Sequence, residues 1–119
     1  MGINKISQEK CIPCRRGAPL LTQEEIDVLL PQIDKWILIK ENSIQRLKKS
    51  FQTSDFSETM HLADKIFELA EKQGHHPKIV VEWGNLEIQW WTHKIRGLHR
   101  NDFIMAAKTD QIIKEFASL

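Results

Sequence analysis

The chain reads as an α+β fold in the order α-β-β-α-β-β-α, a four-stranded antiparallel sheet with three helices packed on one face. Three observations predict it. Two stretches, at 44–53 and 79–90, show two-fold alternation, the first preceded across a polar turn by a short apolar run and the second reversing at Gly84-Asn85. The segment 55–73 carries apolar residues three and four apart. A capping pattern opens a first short helix, and an amphipathic segment closes the chain.

Composition sets the bounds. At 119 residues, 41% hydrophobic and 28% charged, the chain suits one globular domain. With 17 basic and 16 acidic side chains, its net charge of +1 makes no electrostatic case for nucleic acid or an anionic membrane as partner. No apolar run approaches the roughly 20 residues of a membrane span, and the polar residues 1–10 lack a signal-peptide centre. A cytoplasmic location is the expectation. Two cysteines do not make a disulfide scaffold. Cys11-x-x-Cys14 is half of a zinc or redox motif, and without a second pair free thiols are expected.

Residues 1–20 read as an irregular lead-in, broken by Cys11, Pro13, Cys14, Gly17 and Pro19, before a single domain over 21–119. Thr22 with Glu25 forms a capping box, and Leu21 with Ile26 a hydrophobic staple. Ile26, Leu29, Leu30 and Ile33 share a face, with Pro31 ending the helix near Leu30. A short apolar run follows at 36–39, and Glu41-Asn42-Ser43 is a polar turn. Leu47, Lys49, Phe51 and Thr53 then share one strand face.

In the long helix, Phe56, Met60, Ala63, Phe67 and Ala70 fall on one stripe; Leu62, Ile66 and Leu69 add a second. So broad an apolar surface suits contact with another copy of the chain. Asp55 with Glu58 caps the start and Gly74 stops the end. In the second hairpin, Gly84-Asn85 is the expected two-residue turn, pairing Trp83 with Leu86, Val81 with Ile88 and Ile79 with Trp90. Trp90 and Trp91 point to opposite faces. Lys94, Arg96, His99 and Arg100 read as a solvated basic loop. The last helix starts near Asn101, with Phe103, Ala106, Ile113 and Phe116 on its buried side.

Continued outward, that ladder sets His76 opposite His93, where facing Cβ atoms stand roughly 5 Å apart. His75 diverges from His76 unless the chain bends, and Pro77, which cannot donate to a ladder, makes a bend plausible. Glu71 sits in the last turn of the preceding helix. The candidate site is therefore Glu71, His75, His76 and His93, at the rim between a helix C-terminus and a hairpin's open end. Imidazoles titrate near neutrality and suit proton transfer in both directions. Zinc is the weaker alternative, because adjacent histidines on an extended strand do not readily face one ion.

Glu71, His75-His76-Pro77, Trp83, His93 and Asp102, at their spacings, resemble the signature of the pterin-4a-carbinolamine dehydratases. The stretch 82–110, the Cys11–Leu20 region and Trp36 are similar to bacterial members, so the likeness covers nearly the whole chain. It implies dehydration of 4a-hydroxytetrahydropterin to quinonoid dihydropterin without metal or organic cofactor, in homodimers or dimers of dimers, serving an aromatic amino-acid hydroxylase. By the family pattern His75 and His93 match the acid/base histidines and His76 the one placing the pterin. Glu71 then orients or tunes a histidine, Pro77 joins it among the substrate-binding residues, and Trp36 and Trp83 offer flat surfaces to the ring. Asp102 hydrogen-bonds near His93 or serves as a helix N-terminal carboxylate. Gly74 departs from animal members, which often carry an acidic residue there. Animal members also act as dimerisation partners of a transcription factor, so a non-catalytic interaction module is the competing class.

Overall fold

The computed structural model describes residues 6–12 and 15–117; Cys14, and with it half of the Cys-x-x-Cys pair, lies outside them. Strands β1 (Ile37–Glu41), β2 (Ile44–Gln52), β3 (Lys78–Glu82) and β4 (Asn85–Trp90) form one antiparallel sheet in the spatial order β1-β2-β4-β3. Helices α1 (Gln23–Leu29), α2 (Phe56–Gln73) and α3 (Arg100–Phe116) complete the expected order. Leu47, Leu86, Ile88 and Trp90 share a sheet face and meet Leu62, Ile66, Phe103 and Ala106 in the core. Among the described residues no helix is long and apolar enough to cross a membrane.

Local chemistry explains most boundaries. Thr22 Oγ1 accepts the Glu25 N–H at 3.2 Å while the Glu25 carboxylate accepts the Thr22 N–H at 2.8 Å, closing the capping box of α1. Pro31 follows in a 3-10 turn over Leu30–Gln32, so α1 ends at Leu29. Asn42 and Ser43 both take positive φ (53° and 65°) in the two-residue connection from β1 to β2, the geometry of a type I′ hairpin. Asp55 caps α2 through the Glu58 N–H at 2.8 Å, and Gly74 ends it in the left-handed region at φ 68°.

The structure settles one open choice, in α2, and corrects two expectations, in the second hairpin and α3. In α2 the core takes Thr59, Leu62, Ile66 and Ala70, while Phe56, Met60 and Phe67 stand about half exposed. Residues two apart on a helix are roughly 200° apart, so burying Leu62 turns Met60 outward. In the second hairpin Glu82 pairs with Asn85 across Trp83-Gly84, so Val81 meets Leu86 and Ile79 meets Ile88. Gly84, at φ 81°, holds the second central position of the turn, where a type II turn needs positive φ. Displacing the turn by one residue moves every partner by two, which preserves the faces but not the pairs. In α3, Phe103 and Ala106 are buried as expected, but Ile113 is only partly covered and Phe116 is 39% exposed. Every residue from Asn101 to Ala107 is buried instead. One side of that stretch faces the sheet, and residues 6–12 pack on α3 as well: Lys108 Nζ donates to the Ser7 carbonyl at 2.9 Å and Arg100 forms a two-pronged pair with Glu9.

Candidate active site

The end of α2 builds the site. Once Gly74 has turned the chain into the left-handed region, His75 and His76 follow before Pro77 and the start of β3. His75 goes inward. Its ring stacks on the buried Trp90 (centroids 5.7 Å apart, planes 14° apart), and its Nε2 donates to Asp102 Oδ1 at 2.6 Å. His76 goes outward and its Nε2 meets Glu71 Oε2 at 2.8 Å, with both side chains largely exposed. The two neighbours thus diverge, as adjacent residues do where no bend intervenes, and the sharp turn lies before them at Gly74.

His93 reaches the same place by another route than a strand ladder. β4 ends at Trp90, a bridge from Thr92 to Gly97 closes a small loop, and His93 opens a 3-10 turn within it. Its Nε2 lies 3.3 Å from the His76 carbonyl, and its ring packs at 4.6 Å on Trp91. Trp91 lies beneath the Arg46 guanidinium, 3.9 Å away, on the sheet face opposite Trp90. A carbonyl can only accept, so His93 Nε2 carries a hydrogen; against carboxylates the same holds for His75 and His76. In the neutral form each ring therefore keeps its lone pair on Nδ1.

Asp102 is fully buried at the first turn of α3 and accepts three hydrogen bonds. Besides His75 it takes the Thr92 hydroxyl at 2.8 Å and the His99 N–H at 2.9 Å. It thus holds His75, not His93. His99 caps α3 in turn, its Nδ1 accepting the Asn101 N–H at 3.0 Å. Burial pushes the His99 imidazole below its ordinary 6.5, with the nearby His75 adding to that and Asp102 opposing it.

His75, His76 and His93 line a common cavity of about 630 Å³, together with Gly74, Gln73, Thr92, Lys94, Asn101, Cys11 and Ile12. Two expected ring surfaces are elsewhere. Trp36 is buried in the core, its indole N–H bound to Asp110 at 3.0 Å, and Trp83 stands 72% exposed at the tip of the β3–β4 turn. Neither lines the cavity. Among the described residues no group of three or more His, Cys, Asp or Glu is arranged to hold a metal ion. Cys11 and Ile12 were not legible as site residues, because the lead-in carries no periodicity that would dock it beside the histidines, and Gln73 and Asn101, on helices, meet that strip only in the folded chain.

A model of the family described as pterin 4 alpha carbinolamine dehydratase matches residues 19–112. The chain belongs to this family. A protein of Syntrophotalea carbinolica named "Putative pterin-4-alpha-carbinolamine dehydratase" is 46% identical over 112 residues, covering 94% of this chain and all of the relative. One of the same name from Chlorobium luteolum is 42% identical over 113 residues, 95% of this chain and 99% of the relative. Among solved structures, a transcriptional coactivator/pterin dehydratase from Brucella melitensis superposes with a TM-score of 0.70 at 28% identity, over 79% of this chain and 98% of that one. A pterin dehydratase-like protein described as a RuBisCO assembly factor of the alpha-carboxysome shares the fold, with a TM-score of 0.54 at 22% identity over 65% of this chain and 87% of that one.

Proposed function

We propose that this member of the pterin dehydratase family dehydrates 4a-hydroxytetrahydropterin to quinonoid dihydropterin by histidine acid/base catalysis. The observation that carries the reading is the buried Asp102–His75 pair at 2.6 Å, whose imidazole lines a cavity with His76 and His93. The reaction needs a proton on the C4a hydroxyl, cleavage of the C4a–O bond with departure of water, and loss of the ring N–H proton as the C=N bond forms. Hydroxide is a poor leaving group, so an acid must protonate it, and a base must take the nitrogen's proton. With Nε2 of each ring tied down, the acid is an imidazole that carries a second proton on Nδ1, and the base is a neutral one whose Nδ1 lone pair takes the nitrogen's proton. His75 and His93 are the acid/base pair. His76, held by Glu71, places the pterin. The reaction calls for no metal or organic cofactor, and the product, once a separate reductase has returned it to the tetrahydropterin level, would serve an aromatic amino-acid hydroxylase again.

The test is a stopped-flow dehydration assay on 4a-hydroxytetrahydropterin, run with a chelator present. His75→Ala and His93→Ala are each expected to lower the rate by about 10²–10³ while circular dichroism stays native. Wild-type rates in both variants would remove the assignment. An inactive wild type that nevertheless associates stably with another protein would favour the interaction-module reading, which the Brucella relative, described as a transcriptional coactivator/pterin dehydratase, brings into view.

A further inference from the structure

The segment before α1 does more than precede the fold. The Asn101 side chain, 2% exposed, clasps the backbone of Ile12 from both sides: Oδ1 accepts the Ile12 N–H at 3.0 Å and Nδ2 donates to the Ile12 carbonyl at 2.7 Å. The Cys11 N–H donates to Gln73 Oε1 at 3.3 Å, which ties the same strip to the last turn of α2. Upstream, Ile6 is buried against the core, Lys108 holds the Ser7 carbonyl, and Arg100 holds Glu9 with two hydrogen bonds of 2.9 and 2.7 Å. Each fastening joins this strip to α2 or α3, and Asn101 lies one residue before Asp102, the partner of His75. The strip is thus locked to the same helix turn that holds the buried imidazole.

The cavity wall it supplies has a distinct chemistry. Ile12 is 61% exposed although its backbone is fixed at both ends, and it lines the cavity with Cys11. Burial pushes the Cys11 thiol up to about 11, so this wall carries no thiolate near neutral pH. A flat heterocycle with polar edges fits a cavity whose lining combines imidazoles with the neutral surface of Cys11 and Ile12.

We propose that Cys11 and Ile12 form the apolar wall of the pterin site, latched by Asn101 and Gln73, and that this wall sets pterin affinity without taking part in proton transfer. The inference rests on the function proposed above. It assigns binding to a strip outside the segment 19–112 that the family model matches.

Full-length Ile12→Ser tests it with little risk to folding, since the side chain is mostly exposed. The expected result is a KM about fivefold higher with kcat within about twofold of wild type. Asn101→Ala, which unlatches the strip, should raise KM in the same way. In wild type, a non-reacting dihydropterin should slow hydrogen exchange of the amides in residues 9–12, and in Asn101→Ala that protection should be lost. If dihydropterin binds and turnover is normal, but Ile12→Ser leaves KM unchanged and residues 9–12 gain no protection, the wall is refuted and the dehydratase reading stands. If wild type neither binds dihydropterin nor turns over, both fall together.

Discussion

Asp102 carries two loads through one carboxylate. Its Oδ2 accepts the His99 N–H and the Thr92 hydroxyl, which serves the start of α3, and its Oδ1 orients His75. The two roles separate in Asp102→Asn. An amide of the same size keeps one accepting oxygen but presents an NH₂ to at least one of the three donors. His75 then turns or adopts its other tautomer, and its Nδ1 lone pair is misplaced. The expected outcome is a kcat lower by about a hundredfold with a displaced pH–rate profile, and a stability loss of about 1–3 kcal/mol in urea. A variant that loses stability but keeps both kcat and its pH profile would show the carboxylate to be a helix cap alone.

At the scale of elements, local signals decided what was legible. The capping box at Thr22, the cap at Asp55, the stop at Gly74 and the alternation in β4 act within a few residues, and each appears where expected. Two features depend on tertiary choice. Both stripes of α2 are periodic, and only packing against the sheet selects Leu62 and Ile66 over Met60 and Phe67. Gly84 suits either central position of a two-residue turn, so the hairpin register was open by two. The three histidines reach one cavity in either register, because the left-handed turn at Gly74 and the loop at 92–97, not the ladder, place them. The cap of α3 was not legible either, since histidine is an unusual N-cap. It gives that helix a pH dependence. His99 must be unprotonated for Nδ1 to accept the Asn101 N–H, and its folded pKa lies below 6.5, so the unfolded chain takes up the proton first. The stability it supports is therefore complete above about 6.5 and is lost as pH falls through the lower folded value. His99→Asn keeps a capping oxygen that does not titrate. Melting temperatures from pH 7.5 to 5 should fall less steeply in this variant than in wild type, and parallel curves would contradict the assignment.

The whole molecule leaves an apolar surface on the side of α2 away from the sheet. Phe56, Met60 and Phe67 are 49%, 49% and 55% exposed, recurring at helical spacing on the face opposite Leu62. Three large apolar side chains in one stripe exceed the scattered exposure usual for a monomer, and self-association through α2 is the expected consequence. Charge does not oppose it, because the net charge is +1. The sheet offers the rival contact, through the edges of β1 and β3, where Ile37 and the tip residue Trp83 are also exposed. Met60→Glu/Phe67→Glu distinguishes the two. Neither side chain belongs to the core or lines the histidine cavity, so the fold and the site should persist in the separated subunit. Light scattering after size exclusion should give a mass above 13.9 kDa for wild type and a smaller one for the double variant, with dehydration activity retained per chain. Wild-type mass in the double variant would assign assembly to the sheet edges. A wild type that is already monomeric would leave the stripe without a second copy to cover it. Loss of activity on dissociation would mean that the cavity needs a residue from the second copy, which the separate placement of the α2 stripe and the histidines argues against.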